Sequence, residues 1–269
     1  MCEFCSKHGE GKIWYKNAMN YSKDLVSDLT RRKYIEQFLE STINDGFKTL
    51  GRLESMYRKK GHLRPSVTNS LINKAKREHF GQVLPLEEIR DIVLKAATIV
   101  RMPCPCRWTA IKKEVRCCYA VSYTPEAWYE GIDMSYFGKV SCRPLESVSP
   151  DNAMKQMKEM EKDGAIHTIW TMMTPFIGSI CNCNVQDCLA MQTLSKINTE
   201  IMLRAEYFAF VNSTLCTGCG KCVDICQFNA FSTVTIEGKC VVRINKQKCF
   251  GCGLCRTKCS NSAISLHLR

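Results

Sequence analysis

Apolar positions recur at helical spacing through the first third of the chain. Between residues 22 and 60, Leu25, Leu29, Tyr34, Phe38 and Leu39 form one such series. Phe47, Leu50, Leu53 and Met56 form another, with Gly46 or Gly51 as the point of interruption. Gly61-His62-Leu63-Arg64-Pro65 reads as a loop, and a shorter helix is predicted over residues 66–79. Leu84-Pro85 opens a further helix, with Glu87 and Glu88 in its first turn and Ile89, Ile92, Val93, Ala96, Ile99 and Val100 on its buried face. Residues 1–100 therefore read as a mainly helical region. The pattern then changes. Residues 116–121 are rich in β-branched and aromatic side chains and predict a strand. Ser149-Pro150 caps a helix carrying Ala153, Met157 and Met160 and closing at Gly164, and residues 165–170 predict a buried strand. A helix is predicted over residues 188–205 and a short strand over 207–211. A hairpin follows, with strands 233–236 and 241–244 joined at Glu237-Gly238.

The composition redirects attention from packing to metal. The chain has 269 residues and 19 cysteines. It shows no signal-peptide pattern and no apolar run of membrane-spanning length, so a reducing, cytoplasmic setting is expected, with thiols ligating metal rather than forming disulfides. Exposed iron–sulfur clusters are oxygen-sensitive, which suggests an anaerobic source. The formal charge is +12. Two thiolate-bound cubes would lower it to about +8, and three to about +6. The remaining excess suits an acidic protein partner, and no nucleic-acid reading motif accompanies it.

Two copies of one four-cysteine run dominate the C-terminus: Cys216, Cys219, Cys222 and Cys226, then Cys249, Cys252, Cys255 and Cys259, each spaced Cys-x-x-Cys-x-x-Cys-x-x-x-Cys. Such a run supplies the thiolates of a [4Fe–4S] cube, and in the two-cluster arrangement the fourth cysteine of each run serves the other cube. This assigns Cys216, Cys219, Cys222 and Cys259 to one cube and Cys249, Cys252, Cys255 and Cys226 to the other. Zinc is the competing occupant of Cys-x-x-Cys pairs, but seldom of two such complete runs. The stretch resembles the bacterial-type dicluster ferredoxin over residues 207–269. It departs from the family's pattern in carrying Gln227 and Ser260 where proline usually follows the fourth cysteine. The freed N–H either points near a cluster sulfur or loosens the turn.

Upstream lie Pro103-Cys104-Pro105-Cys106-Arg107, the pair Cys117-Cys118, and Cys181-Asn182-Cys183 followed by Cys188. This order, with a helix ending in Asp163-Gly164-x-x-His167, is similar to larger ferredoxins of anaerobes that carry an added cysteine-rich domain, over about residues 85–269. The resemblance implies a third iron–sulfur cluster. Its expected ligands are Cys181, Cys183 and Cys188 with one or both of Cys104 and Cys106, and Cys117 and Cys118 in reserve. The Cys117-Cys118 pair also invites comparison with the cysteine-rich modules of heterodisulfide reductases, whose spacing does not fit.

The overall expectation is an α+β chain in three parts. Residues 1–100 are helical, 101–206 form a small cysteine-rich α/β segment, and 207–269 form the ferredoxin-like domain. Other groups read more plainly. Cys2, Cys5 and His8 are either ligands of a further metal or incidental; Cys142 sits alone; Cys240 reads as a small apolar residue. His62 and His79 read as surface or capping groups, His167 as a core histidine, and the Met157 series as core.

The function expected is electron relay by a subunit of a larger oxidoreductase, of flavin-, tungsten- or heterodisulfide-type. No catalytic residue pair, phosphate loop or dinucleotide fingerprint is present in the sequence. The competing readings are an oxidoreductase with its substrate at the upstream cluster, favoured by the aromatic stretch around Trp128, Tyr129 and Tyr136, and a redox sensor.

Overall fold

Two neighbouring strands bring Cys118, Cys181 and Cys183 to one place. The computed structural model describes residues 13–125, 127–138, 145–236 and 239–269, so Cys2, Cys5, His8 and Cys142 lie outside the described residues. The architecture is α+β. A seven-stranded sheet is built from β1 (Gly81–Val83), β2 (Thr98–Met102), β3 (Cys118–Ser122), β4 (Glu146–Ser147), β5 (Ile166–Thr171), β6 (Ile177–Cys183) and β7 (Met202–Leu203), in the order β4-β2-β3-β6-β5-β1-β7. Its pairings are antiparallel except that of β1 with β7.

Both faces of the sheet are covered, which is why β3 and β5 are buried along their whole length. On one face Tyr119, Val121, Ile169 and Ile180 pack with Ile89, Ile92, Ala153 and Met157 from the helices Leu86–Val93 and Pro150–Lys162. Alternation sends Val100, Met102, Cys118 and Ala120 to the other face. There they meet Ile35, Phe38, Leu39 and Ile43 from the N-terminal helices.

This packing corrects the expected division near residue 100. Strand β1 pairs with β5, and β2 with β3, so the stretches before and after that point share one sheet and one core. Ile99 and Val100 belong to β2 rather than to the preceding helix, which stops at Val93; Thr98-Ile99-Val100 is a β-branched run that fits a pleated surface better than a helix.

The series over residues 22–60 breaks at a π-helical segment, Phe38–Asn44, and not at Gly46 or Gly51, which both lie inside the helix Asp45–Lys60. A helix not predicted, Pro105–Ile111, starts with proline at its first position, where the missing N–H costs nothing. The helix expected over 188–205 spans Leu189–Ile197 and ends because Asn198 turns left-handed at φ 50°.

The C-terminal part holds two further antiparallel pairs. β8 (Tyr207–Val211) pairs with the last strand, β11 (Ile264–Leu268), and β9 (Phe231–Ile236) with β10 (Lys239–Ile244). The single-turn helices Lys221–Asp224 and Leu254–Thr257 follow the two cysteine loops. No helix among the described residues is long and apolar enough to cross a membrane.

Candidate metal centres

The C-terminal loops fold as near copies of one another. Cys226 Sγ accepts the N–H of Ala230 at 3.3 Å, and Cys259 Sγ accepts that of Ala263 at 3.2 Å. Cys249 Sγ accepts two backbone N–H groups, from Ala209 and Gly251, each at 3.4 Å. Hydrogen bonds of this kind to sulfur tune a bound cluster. Two glycines let the loops close against the hairpins. Gly218 has φ +68° and a side chain there would meet the Cys240 carbonyl oxygen at 2.3 Å; Gly251 has φ +71° and would meet the Tyr207 carbonyl oxygen at 2.1 Å. Neither clash is with a movable side-chain end.

The thiols fall into two neighbourhoods. Cys222 feels the charges of Cys216, Cys219 and Cys259, while Cys255 feels those of Cys252, Cys249 and Cys226. Burial pushes Cys222 up to about 11 and Cys252 up to about 12. Without metal these two thiols therefore hold their protons at pH 7, and metal binding would release them. Cys219 is exposed, and the backbone N–H of Lys221 holds its thiol below the usual range. Cys240 is exposed too, contrary to the apolar packing expected of it; its Sγ lies 3.7 Å from the Gly218 carbonyl.

The departure from proline has a structural consequence. Gln227 Oε1 accepts the Val185 N–H at 2.6 Å, and its Nε2 donates to the Gly164 carbonyl. The side chain thus ties the second half of the first cysteine run to the upstream loops. Ser260 Oγ donates to Asn261 Oδ1 at 3.3 Å.

Upstream, register gathers the thiols. Met102 of β2 lies opposite Cys118 of β3, and Cys118 lies opposite Cys181 of β6. Cys183, two residues on, shares that face. The chain leaving β2 delivers Cys104 and Cys106, and the turn after β6 delivers Cys188. Contacts then run from Cys106 to Cys104, from Cys104 to Cys117 and Cys118, from Cys118 to Cys181, and onward to Cys183 and Cys188. Cys104, Cys117 and Cys118 are the tightest part, with all three sulfurs within 4.8 Å of one another. The pair held in reserve is thus at the centre of the group. Burial works to lower the pKa of Arg107, but the charges of Cys117, Cys104, Cys183 and Asp187 outweigh burial and raise it. Arg107 forms an ion pair with Asp187 at 3.0 Å. It joins the Cys104–Cys106 loop to the Cys181–Cys188 turn.

A cavity of about 200 Å³ opens over these sulfurs. Cys104, Cys106, Cys118, Cys181, Cys183 and Cys188 line its floor, and Phe38, Leu39, Ile43, Trp128, Trp170 and Met172 are among its apolar walls. His79 also lines it, stacked on Trp170 with ring centres 4.7 Å apart, its Nδ1–H donating to the Thr171 carbonyl. Burial lowers its pKa to about 4, so it is neutral at pH 7. His79 also ends the Pro65–Glu78 helix, in keeping with a capping role, and His62 is exposed with Nδ1 against the Lys60 carbonyl.

His167 points to the opposite face from the thiols. Asn182, which sequence reasoning missed, donates from Nδ2 to the Cys117 carbonyl at 2.8 Å and accepts at Oδ1 from His167 Nδ1 at 2.6 Å. His167 Nε2 has no hydrogen-bond partner among the described residues. The residue is a core histidine, but an incompletely satisfied one.

Two segments match the family description "4Fe-4S binding domain", residues 209–232 and residues 246–262. Each covers the first three cysteines of a run; the first also includes Cys226 and the second Cys259. No curated protein matches the chain. The C-terminal region is ferredoxin-like and binds [4Fe–4S] clusters, and the chain is an iron–sulfur electron-transfer protein.

Proposed function

We propose that this chain is the electron-relay subunit of a larger oxidoreductase of an anaerobe, acting in the cytoplasm. Its C-terminal domain is of the bacterial dicluster type, with one cube on Cys216, Cys219, Cys222 and Cys259 and the other on Cys249, Cys252, Cys255 and Cys226. A third iron–sulfur cluster sits upstream on Cys181, Cys183 and Cys188, with Cys106 or Cys104 completing the set.

One observation carries the relay reading. Cys183 and Cys188 are buried in the same packed cluster as Phe250 and Leu254, against which Cys181 and Cys252 also pack. The upstream thiols and the second cysteine loop are therefore joined through packed side chains. Phe228 and Phe250 stack at 4.1 Å within that core. At the far end Cys219 is exposed, which gives the first cube an edge open to a partner. A line of centres from a buried cavity to an exposed ligand suits single-electron transfer between two proteins. The basic excess favours an acidic docking surface on the catalytic partner, of flavin-, tungsten- or heterodisulfide-type.

A second reading has the upstream centre act on a substrate, and the apolar cavity over it is the observation in its favour. Anoxic purification from the native source separates the two. A relay subunit co-elutes with a larger enzyme, and electrons from that enzyme's substrate reduce its clusters. A chain that stays alone at every concentration, and turns over a small apolar substrate with a redox dye, contradicts the relay reading.

A further inference from the structure

The upstream group contains more thiols than one cube uses, and three of them stand closer together than the rest. Cys104, Cys106, Cys117, Cys118, Cys181, Cys183 and Cys188 form no disulfide and are either buried or half-buried. A cube takes four. Cys106 is close enough to Cys183 and Cys188 for their charges to act on it. On the third-cluster reading, Cys106 joins Cys181, Cys183 and Cys188 to make up four thiolates. The remainder, Cys104, Cys117 and Cys118, are the three whose sulfurs lie within 4.8 Å of one another.

That spacing separates two kinds of site. Thiolates around one tetrahedral zinc ion, bonded at about 2.3 Å, stand roughly 3.8 Å apart. Thiolates on a cube are held farther apart, because four irons and four sulfides lie between them. The C-terminal loops provide the comparison within this molecule: among the described residues, no three of the eight cysteines in the two runs come within the span that Cys104, Cys117 and Cys118 share. Cys181 touches Cys118, its cross-strand partner, but falls outside the triad; Cys106 touches Cys104 and also falls outside it.

We propose that Cys104, Cys117 and Cys118 form a separate single-ion site for Zn²⁺, with three protein ligands and an open fourth position, beside the third cluster. The set fits the ion. Zinc favours tetrahedral thiolate ligation, and a three-ligand site leaves one position for water or a small exogenous donor. Three thiolates and Zn²⁺ carry one net negative charge. Arg107, which Cys117 and Cys104 both influence, lies beside it to offset that charge. Cys104 and Cys118 line the apolar cavity, so the open position is reached from there. The partition of thiols rests on the third-cluster reading, but the triad's spacing does not.

The test measures iron and zinc per chain on the full protein purified without oxygen, for wild type and two variants. Wild type is expected to hold about twelve irons and about one zinc. Cys117→Ser is expected to lose at least nine-tenths of the zinc and keep the iron. Cys183→Ser is expected to lose about four irons and keep the zinc. X-ray absorption at the zinc edge should show about three sulfur scatterers near 2.3 Å and one lighter atom. Retention of the C-terminal cluster signal in both variants shows that they fold. A wild type grown with zinc but purified without it overturns the proposal. So does a Cys117→Ser variant that loses about four irons, because Cys117 would then be a cube ligand; the third cluster survives that outcome. About eight irons with one zinc removed by Cys117→Ser has the opposite effect, upholding this site and overturning the third cluster.

Discussion

Single side chains here join modules that the sequence presents as separate. Gln227 stands where the dicluster family places proline, and its amide bridges Val185 and Gly164. Gln227→Ala leaves the Val185 N–H without that acceptor and should lower stability by about 2 kcal/mol, read from the denaturant midpoint of the anoxic protein; an unchanged midpoint would mean that the bridge contributes nothing. His167 gives a pH signature. Burial lowers its pKa to about 4, against about 6.5 in an unfolded chain. Both states are neutral above pH 6.5, and as pH falls toward 4 the unfolded state takes up the proton first, so stability is lost across that window. Between pH 7 and pH 5 the expected loss from this residue is about 2 kcal/mol. His167→Leu should be less stable at pH 7 yet show a shallower decline toward pH 5. An equally steep decline in the variant would place the effect elsewhere.

Among the elements, the cysteine loops make the sharpest prediction because their glycines differ. Gly220 has φ +78° with open space around it, whereas Gly251 has φ +71° and the Tyr207 carbonyl in the way. Gly220→Ala should cost about 1 kcal/mol of backbone strain and keep both cubes. Gly251→Ala should displace the second loop from β8 and lose about four irons, as measured by iron content; equal iron in the two variants would contradict this account of the loop. The loops and the 231–244 hairpin were legible because each carries a local signal: fixed cysteine spacing, or β-branched runs either side of a turn. The large sheet was not. β4 and β7 are two residues long and β1 three, too short for any periodicity, and they join the sheet through long-range pairing alone. Ile99 and Val100 fitted a helical face by spacing and were claimed by a strand through β-branching. The upstream cysteines could be named from sequence, but their grouping could not, since it depends on the register that sets Cys118 opposite Cys181.

Across the whole molecule, the ferredoxin-like part is clamped to the rest at several points. Arg256 pairs with Glu87 at 2.7 and 2.9 Å, Tyr207 donates to Glu88 at 2.6 Å, and the Ala205 N–H reaches the Phe250 carbonyl at 2.9 Å. Such a junction holds the second cysteine loop against the upstream thiols, which the proposed relay requires. Anoxic reductive titration, followed by electron paramagnetic resonance, tests the central claim most directly. The account predicts that the C-terminal pair takes up about two electrons per chain with the coupled signal of neighbouring cubes, and that the upstream cluster takes up about one more, abolished by Cys183→Ser. A colourless chain that accepts no electrons would contradict it.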